Sequence, residues 1–301
     1  MTTSCCLALK VGNLRALVDV GMGAAIRTFE LETPAGIRPV LAAPCSASSD
    51  VGQSALFPMA PFANRVRNNR LKIAGREIRL RPNTDDPLCL HGWAWQREWQ
   101  VEQYAPELCK LRLRLRAHGY DLTLNYEMHL SETALNLTLG AINESTAPAP
   151  VGLGLHPYFP RSPNTKISFA AAKVWPDGPG HLPSGSRPIS DRDDYSKAQT
   201  LPADWRNECY SGWTGQARIL QPNLQYDLEM SASGADVLMF YADPALECFA
   251  LEPQTHISGE THTDSGGLRV LAPGQETEMG LTLSVRSRAP HITQQVGYVP
   301  N

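Results

Sequence analysis

The 301-residue chain reads as an all-β protein, a large antiparallel β-sandwich, on three observations. Apolar and polar residues alternate strictly through residues 111–116, 122–128 and 135–139, which turns one face of each strand inward and the other to water. Turn residues separate these runs at short intervals, as at His118-Gly119 and Ser131-Glu132-Thr133. No stretch carries sustained helical spacing with a cap at both ends, so the helical crossovers of a parallel sheet are missing.

From the N-terminus, residues 7–11, 14–20 and 25–31 are short β-prone runs punctuated by Gly12-Asn13 and Gly21-Met22-Gly23, an opening meander. Residues 42–53 are small, polar and strandless, a loop ahead of Phe57-Pro58-Met59-Ala60-Pro61-Phe62. Residues 71–80, broken by Ala74-Gly75-Arg76, read as a hairpin. Beyond residue 156 the alternation weakens. Residues 175–205 are rich in Pro, Gly, Ser and Asp and predict long surface loops with one short helical turn, the kind of segment that carries specificity on a rigid scaffold. Strands return at 217–220, 225–230, 237–241, 248–251 and 277–285, the last after the turn Ala272-Pro273-Gly274. Neither a fixed repeat nor a linker divides the chain, so residues 1–301 are expected to form a single domain with a loosely held tail over 289–301.

A net charge of −3 with interspersed signs lacks the clustered Lys and Arg that a nucleic-acid backbone requires. No apolar run approaches the roughly 20 residues that span a bilayer, and Met1-Thr2-Thr3-Ser4-Cys5-Cys6 lacks the basic segment and long apolar core expected of a signal peptide. The expectation is a soluble cytoplasmic protein with no membrane or nucleic-acid partner, a monomer or homodimer. Seven cysteines (Cys5, Cys6, Cys45, Cys89, Cys109, Cys209, Cys248) are scattered without Cys-x-x-Cys spacing, and read as reduced packing thiols rather than a disulfide framework or zinc site.

Four separated stretches carry chemistry. His156 lies in Gly152-Leu153-Gly154-Leu155-His156-Pro157-Tyr158-Phe159-Pro160, where glycines and prolines shape the backbone and the aromatic pair walls the imidazole. A histidine so held can donate a proton near neutral pH; the plainer alternative is a core histidine bonded to backbone. Asn64-Arg65-Val66-Arg67-Asn68-Asn69-Arg70 has the look of a solvated turn. The proline-stiffened lead before it would fix Arg65, whose planar donors suit hydroxyls or carboxylates, with phosphate a lesser option through Arg65, Arg67 and Arg70.

His91 sits in Leu90-His91-Gly92-Trp93, followed by Trp95 and Trp99. Those tryptophans are either core or, Trp93 first, a flat platform for the C–H face of a sugar. Glu252, in Cys248-Phe249-Ala250-Leu251-Glu252-Pro253-Gln254, closes an apolar run and must there be paired, hydrogen-bonded or raised in pKa. The segment from His256 through Glu260 and His262 to Asp264 lacks any standard ligand spacing, so no metal is expected. Gly152-Leu153-Gly154 is no dinucleotide loop. Neither a Gly-x-Ser-x-Gly elbow nor a Gly-Lys-Ser/Thr phosphate loop occurs, so no cofactor is expected.

Taken in order, Asn64-Arg65, Leu90-His91-Gly92, His156-Pro157-Tyr158-Phe159 and Leu251-Glu252-Pro253-Gln254 resemble the aldose 1-epimerase (galactose mutarotase) family over residues 14–285. Asn83 ahead of Leu90-His91-Gly92-Trp93, with Cys209-Tyr210-Ser211-Gly212-Trp213, is most similar to the shorter bacterial branch. The resemblance implies a galactose mutarotase-like sandwich with an open cleft on a concave sheet. It implies His156 as general acid, Glu252 as general base, and Arg65 and His91 as groups that grip sugar hydroxyls, with Asn64 beside them. Where the family often has an Asp ahead of an aromatic, this chain has Asn207, and a Gln that many members carry before the base is here Met239.

The chemistry accounts for the residue types. To interconvert anomers, one group removes the C1 hydroxyl proton while another protonates the ring oxygen, and after rotation about C1–C2 the roles reverse. A carboxylate and an imidazolium, on opposite sides of the acetal carbon, suffice. The expected substrate is a free monosaccharide; a hexose 6-phosphate or other charged sugar held by Arg67, Arg70 or Arg161 is the first alternative, and a carbohydrate-binding protein without turnover the second.

Overall fold

A computed structural model describes residues 6–44, 50–73, 76–259 and 267–288. The expected tail, together with Cys5, Cys45, Glu260, His262 and Asp264, lies outside these residues. Strands joined by antiparallel ladders make up the framework; the described residues contain short 3₁₀ turns and no α-helix. No helix is long and apolar enough to cross a membrane.

The alternating runs lie toward one edge of a nine-stranded sheet, where Leu108–Ala117, Tyr120–Leu130 and Ala134–Asn143 are side by side and Glu276–Ser287 continues the order at its middle. Leu111 and Leu139 flank Tyr126 in register, and all three are buried. Their polar neighbours Arg112, Asn125 and Thr138 face water. Burying a side chain such as Leu111 contributes roughly 1.5–3 kcal/mol, so the alternation commits each strand to one face.

Across the core lies an eight-stranded sheet that includes Lys173–Trp175, Arg206–Ser211, Val237–Ala242, Cys248–Gln254, Gly154–Leu155 and Pro58–Met59. Every residue of Cys248–Gln254 is buried. Phe249 and Leu251 enter the main core with Leu238, Phe240 and Tyr210, while Ala250, Glu252 and Gln254 take the opposite face. That second face is covered by loops, which is why the strand reads as apolar rather than alternating.

The opening meander proves to be a four-stranded sheet. Its fourth member, Gly36–Leu41, was not expected, because Pro39 argues against a central strand; it stands at the edge, where proline is tolerated. Gln100–Ala105 is a second unexpected strand, an exposed edge with no buried face to impose alternation. The hairpin appears as Arg70–Ile73 with Arg76–Arg79, and the helical turn in the long loop as Pro179–His181.

Candidate active site

A cleft of about 510 Å³ opens on the loop-covered face of the eight-stranded sheet. It gathers Asn64, Arg65, His91, His156, Asn207 and Glu252, which are far apart in the chain. Their convergence follows from register. Asn207 pairs with Tyr241 and Tyr241 with Ala250; one step along the same face, Cys209 pairs with Met239 and Met239 with Glu252.

His156 is placed by an interrupted strand. Gly154 pairs with Gln254 and Tyr158 with Ala250, so continuing the register sets His156 across from Glu252. The ladder is broken there by Pro157, which has no N–H to donate. His156 Nε2 lies 3.2 Å from Glu252 Oε1, and both side chains are almost wholly buried. Gln254 Nε2 donates to Glu252 Oε2 at 3.0 Å. The His156 ring stacks on Phe57, centroids 4.6 Å apart, and meets Tyr158 at the same distance on a tilt.

Burial pushes the Glu252 carboxyl up to about 8, against the opposing pull of Gln254 and Arg65. Burial also pushes the His156 imidazole down to about 3, its own backbone acting the other way. Both groups resist charge for the same reason. At neutral pH the pair holds one proton, and burial favours the arrangement in which both groups are uncharged.

The near wall consists of two interlocked loops. Gly92 packs so tightly on Ala60 that a Cβ would fall 2.2 Å from the Ala60 carbonyl oxygen, and its φ of 65° is one that glycine adopts freely. Trp93 N and Ala94 N both donate to Ala60 O, and His91 N donates to Asn64 O. The Asn64 N–H donates to His91 Nδ1 at 3.0 Å. With Nδ1 an acceptor, the neutral ring carries its proton on Nε2 and is a hydrogen-bond donor at the cleft. Burial, then the neighbouring His156 and Arg65, hold His91 well below its ordinary pKa, so this neutral form prevails at pH 7.

Arg65 gives Nε and Nη2 to one oxygen of Asp86, at 2.8 and 2.7 Å. The Asn64 side-chain oxygen accepts from the Arg65 backbone N–H at 2.8 Å. Behind this loop, the Ala63 N–H donates to His256 Nε2 and His256 Nδ1 donates to Ile257 O, so both ring nitrogens are taken up by backbone.

Trp93 is placed differently from expectation. It is 5 % exposed, lies within the main core, stacks on His118 at 4.5 Å and meets Phe62 edge-on, and it does not line the cleft. Positive φ at both His91 and Gly92 reverses the chain, sending His91 to the cleft and Trp93 away from it. The aromatic surface is supplied instead by Trp205 and Tyr241, with ring centroids 6.2 Å apart, and by Tyr158. Trp205 is a residue that sequence reasoning misses, because it falls at the end of the 175–205 loops; the strand Arg206–Ser211 that follows it carries Asn207 into the same cleft.

The other arginines weighed for an anionic substrate do not line the cleft. Arg67 donates to Pro183 O, Arg70 pairs with Glu77, and Arg161 donates to Pro202 O beside a separate hollow. Met239 is buried against Cys209, Val237 and Ile257.

Comparison with known proteins adds four findings. The family model described as aldose 1-epimerase matches residues 7–284. The uncharacterized protein YphB of Escherichia coli K12 is 34 % identical over 289 residues, 92 % of this chain and 97 % of that one. A solved structure described as a candidate aldose 1-epimerase from E. coli K12 superposes with a TM-score of 0.87 at 31 % identity, covering 94 % of this chain and 99 % of its own. A galactose mutarotase-like protein from Clostridium acetobutylicum superposes with a TM-score of 0.82 over 94 % and 95 % of the two chains. At 16 % identity it attests the fold alone.

Proposed function

The chain belongs to the aldose 1-epimerase family, and from that premise we propose that it interconverts the α and β anomers of an uncharged free aldose, with His156 and Glu252 as the acid–base pair. The observation that carries this reading is the 3.2 Å contact between Nε2 and Oε1 at the base of a cleft wide enough for a sugar ring.

The two groups touch each other rather than standing on opposite sides of the acetal carbon; because the C1 hydroxyl and the ring oxygen are bonded to the same carbon, two adjacent proton carriers can serve both. With the shared proton on His156, the Glu252 carboxylate takes the C1 hydroxyl proton as the C1–O5 bond breaks, and His156 delivers its proton to the ring oxygen. The products are an open-chain aldehyde, a neutral carboxyl and a neutral imidazole. Burial favours that neutral form at rest as well, so reaching the charged pair is part of the barrier, and its neutralisation on ring opening returns the same free energy. After rotation about C1–C2, Glu252 returns its proton to the carbonyl oxygen and His156 recovers the one on O5, closing the other anomer. Proton count and charge are restored each cycle.

Arg65, His91 and Asn64 orient the sugar from one side and Asn207 from the other, while Trp205 offers a flat apolar face to the ring's C–H bonds. An uncharged sugar is favoured over a phosphorylated one by the charges present. Arg65 is already neutralised by Asp86, and the three further arginines lie elsewhere. A cytoplasmic setting is supported by the five described cysteines, all free thiols.

The test is polarimetry or NMR anomer exchange on freshly dissolved glucose, galactose, arabinose and xylose, with glucose 6-phosphate alongside. Acceleration of at least one neutral aldose above the spontaneous rate is the expected result. Sugar binding without acceleration would select the non-catalytic reading, and a preference for the phosphorylated sugar would overturn the charge argument.

A further inference from the structure

The far wall of the cleft contains a connection that the acid–base chemistry does not use. Asn207 Nδ2 donates to Asp177 Oδ1 at 2.7 Å, and Asp177 Oδ2 lies 3.2 Å from His181 Nδ1. Asp177 belongs to the loop between Lys173–Trp175 and the Pro179–His181 turn, whereas Asn207 stands on a sheet strand; Asn207 and His181 both line the cleft.

We propose that Asp177 is a specificity-determining positioning residue, which by holding Asn207 and His181 makes the far wall a pair of hydrogen-bond acceptors selective for a free sugar hydroxyl. This rests on the reading of the cleft as a sugar site and goes beyond it in naming what the wall selects.

A carboxylate only accepts hydrogen bonds. The contact with Asn207 therefore engages the amide nitrogen and turns Oδ1 away from Asp177, and Oδ1 has no partner among the described residues. The same logic puts the His181 proton on Nδ1, leaving Nε2 of the neutral ring as a lone-pair acceptor. The near wall is the opposite: His91 offers Nε2–H and Arg65 its remaining guanidinium donors. A hydroxyl that meets Asn207 Oδ1 gives its proton there, and can accept in turn from the second N–H of the same amide. A phosphate or carboxylate there has no proton to give and faces the charge of Asp177, which has no Lys or Arg partner among the described residues. A deoxy position leaves both acceptors unsatisfied.

Four proteins test this: wild type, Asp177→Ala, Asn207→Asp, and the exchange Asp177→Asn with Asn207→Asp. KM and kcat are measured for the best neutral aldose, for its epimers and for its monodeoxy analogues. Asp177→Ala is expected to raise KM roughly five- to tenfold with kcat altered much less, and to erase most of the discrimination against the deoxy analogue at the far wall. Asn207→Asp alone sets two carboxylates at contact distance and should bind sugar worse still. The exchange restores a donor–acceptor pair in reverse and leaves a carboxylate oxygen toward the cleft, so KM should recover most of the loss. A merely structural role would not give that rescue.

The inference is overturned if Asp177→Ala keeps both KM and discrimination, or if the exchange is no better than Asn207→Asp. Should wild type bind sugars without accelerating mutarotation, the catalytic reading fails by itself, and the same four proteins are compared by ligand-observed NMR binding, with the same expected order of affinities. A wild type that binds no sugar overturns both.

Discussion

His156 stands across a broken β-ladder from Glu252, its Nε2 3.2 Å from the carboxylate Oε1, at the position the flanking pairs Gly154↔Gln254 and Tyr158↔Ala250 define. If these two groups exchange protons with the sugar, His156→Asn and Glu252→Gln should each lower kcat/KM by on the order of 10² to 10⁴, the usual contribution of a positioned acid or base. Circular dichroism should show an intact β fold. Near-normal mutarotation by either variant would remove the assignment.

The pair should also set the pH profile. It carries one proton between about pH 3, where His156 titrates, and about pH 8, where Glu252 does. kcat/KM, which reports the free enzyme, should therefore fall as pH rises through about 8. Gln254 lowers the Glu252 pKa by donating to Oε2, so Gln254→Leu should move that alkaline limb to higher pH. An unmoved limb would mean that another group titrates.

Stability follows with both signs. The Glu252 pKa is raised from 4.5 to about 8, so between those values the folded chain binds the extra proton and stability falls as pH rises. The histidines act oppositely. His156 and His256 are lowered from 6.5 to about 3 and about 4, and His91 is lowered well below 6.5, so the unfolded chain binds more protons and stability rises with pH up to about 6.5. With three histidines against one carboxyl, urea midpoints should rise through the acidic range, peak close to neutral pH and fall on the alkaline side. Glu252→Gln should flatten the alkaline side.

Two tryptophans should separate core from cleft. Trp93→Ala removes a side chain from the main core and should cost about 3–5 kcal/mol in urea unfolding; Trp93→Phe, which retains part of that packing, should leave KM near wild type. Trp205→Ala, at a half-exposed position on the cleft, should change stability by under about 1 kcal/mol while raising KM roughly fivefold. The reverse pattern would restore Trp93 as the sugar platform.

The contrast between those residues marks what the sequence makes legible. Leu111, Tyr126 and Leu139 announce themselves because a half-buried strand must alternate, so the centres of their three strands were readable, whereas Gln100–Ala105, Lys166–Phe169 and Gln199–Thr200 of the same sheet were not. Cys248–Gln254 is buried on both faces and shows no alternation, so its strand character came from composition alone. The convergence of Asn64, Arg65, His91, His156, Asn207 and Glu252 followed from family resemblance. No local rule brings residues 64 and 252 together, since only ladder register and the Ala60–Gly92 contact do so. Trp93 misled because a positive-φ pair at His91 and Gly92 reverses the face on which a neighbour two residues on is expected. Asp177 was invisible for another reason: its partner Asn207 is thirty residues away across an irregular loop.

The Ala60–Gly92 contact bears on how such a protein can change over generations. Backbone meets backbone there with no room for even a methyl group, and the same two loops carry Arg65 and His91. Amino-acid replacements cannot shift those groups a little at a time without unseating the loops. Laboratory selection for growth on a different sugar should therefore leave residues 57–65 and 90–94 almost untouched and collect its changes in residues 177–205, where side chains rather than main chain define the wall.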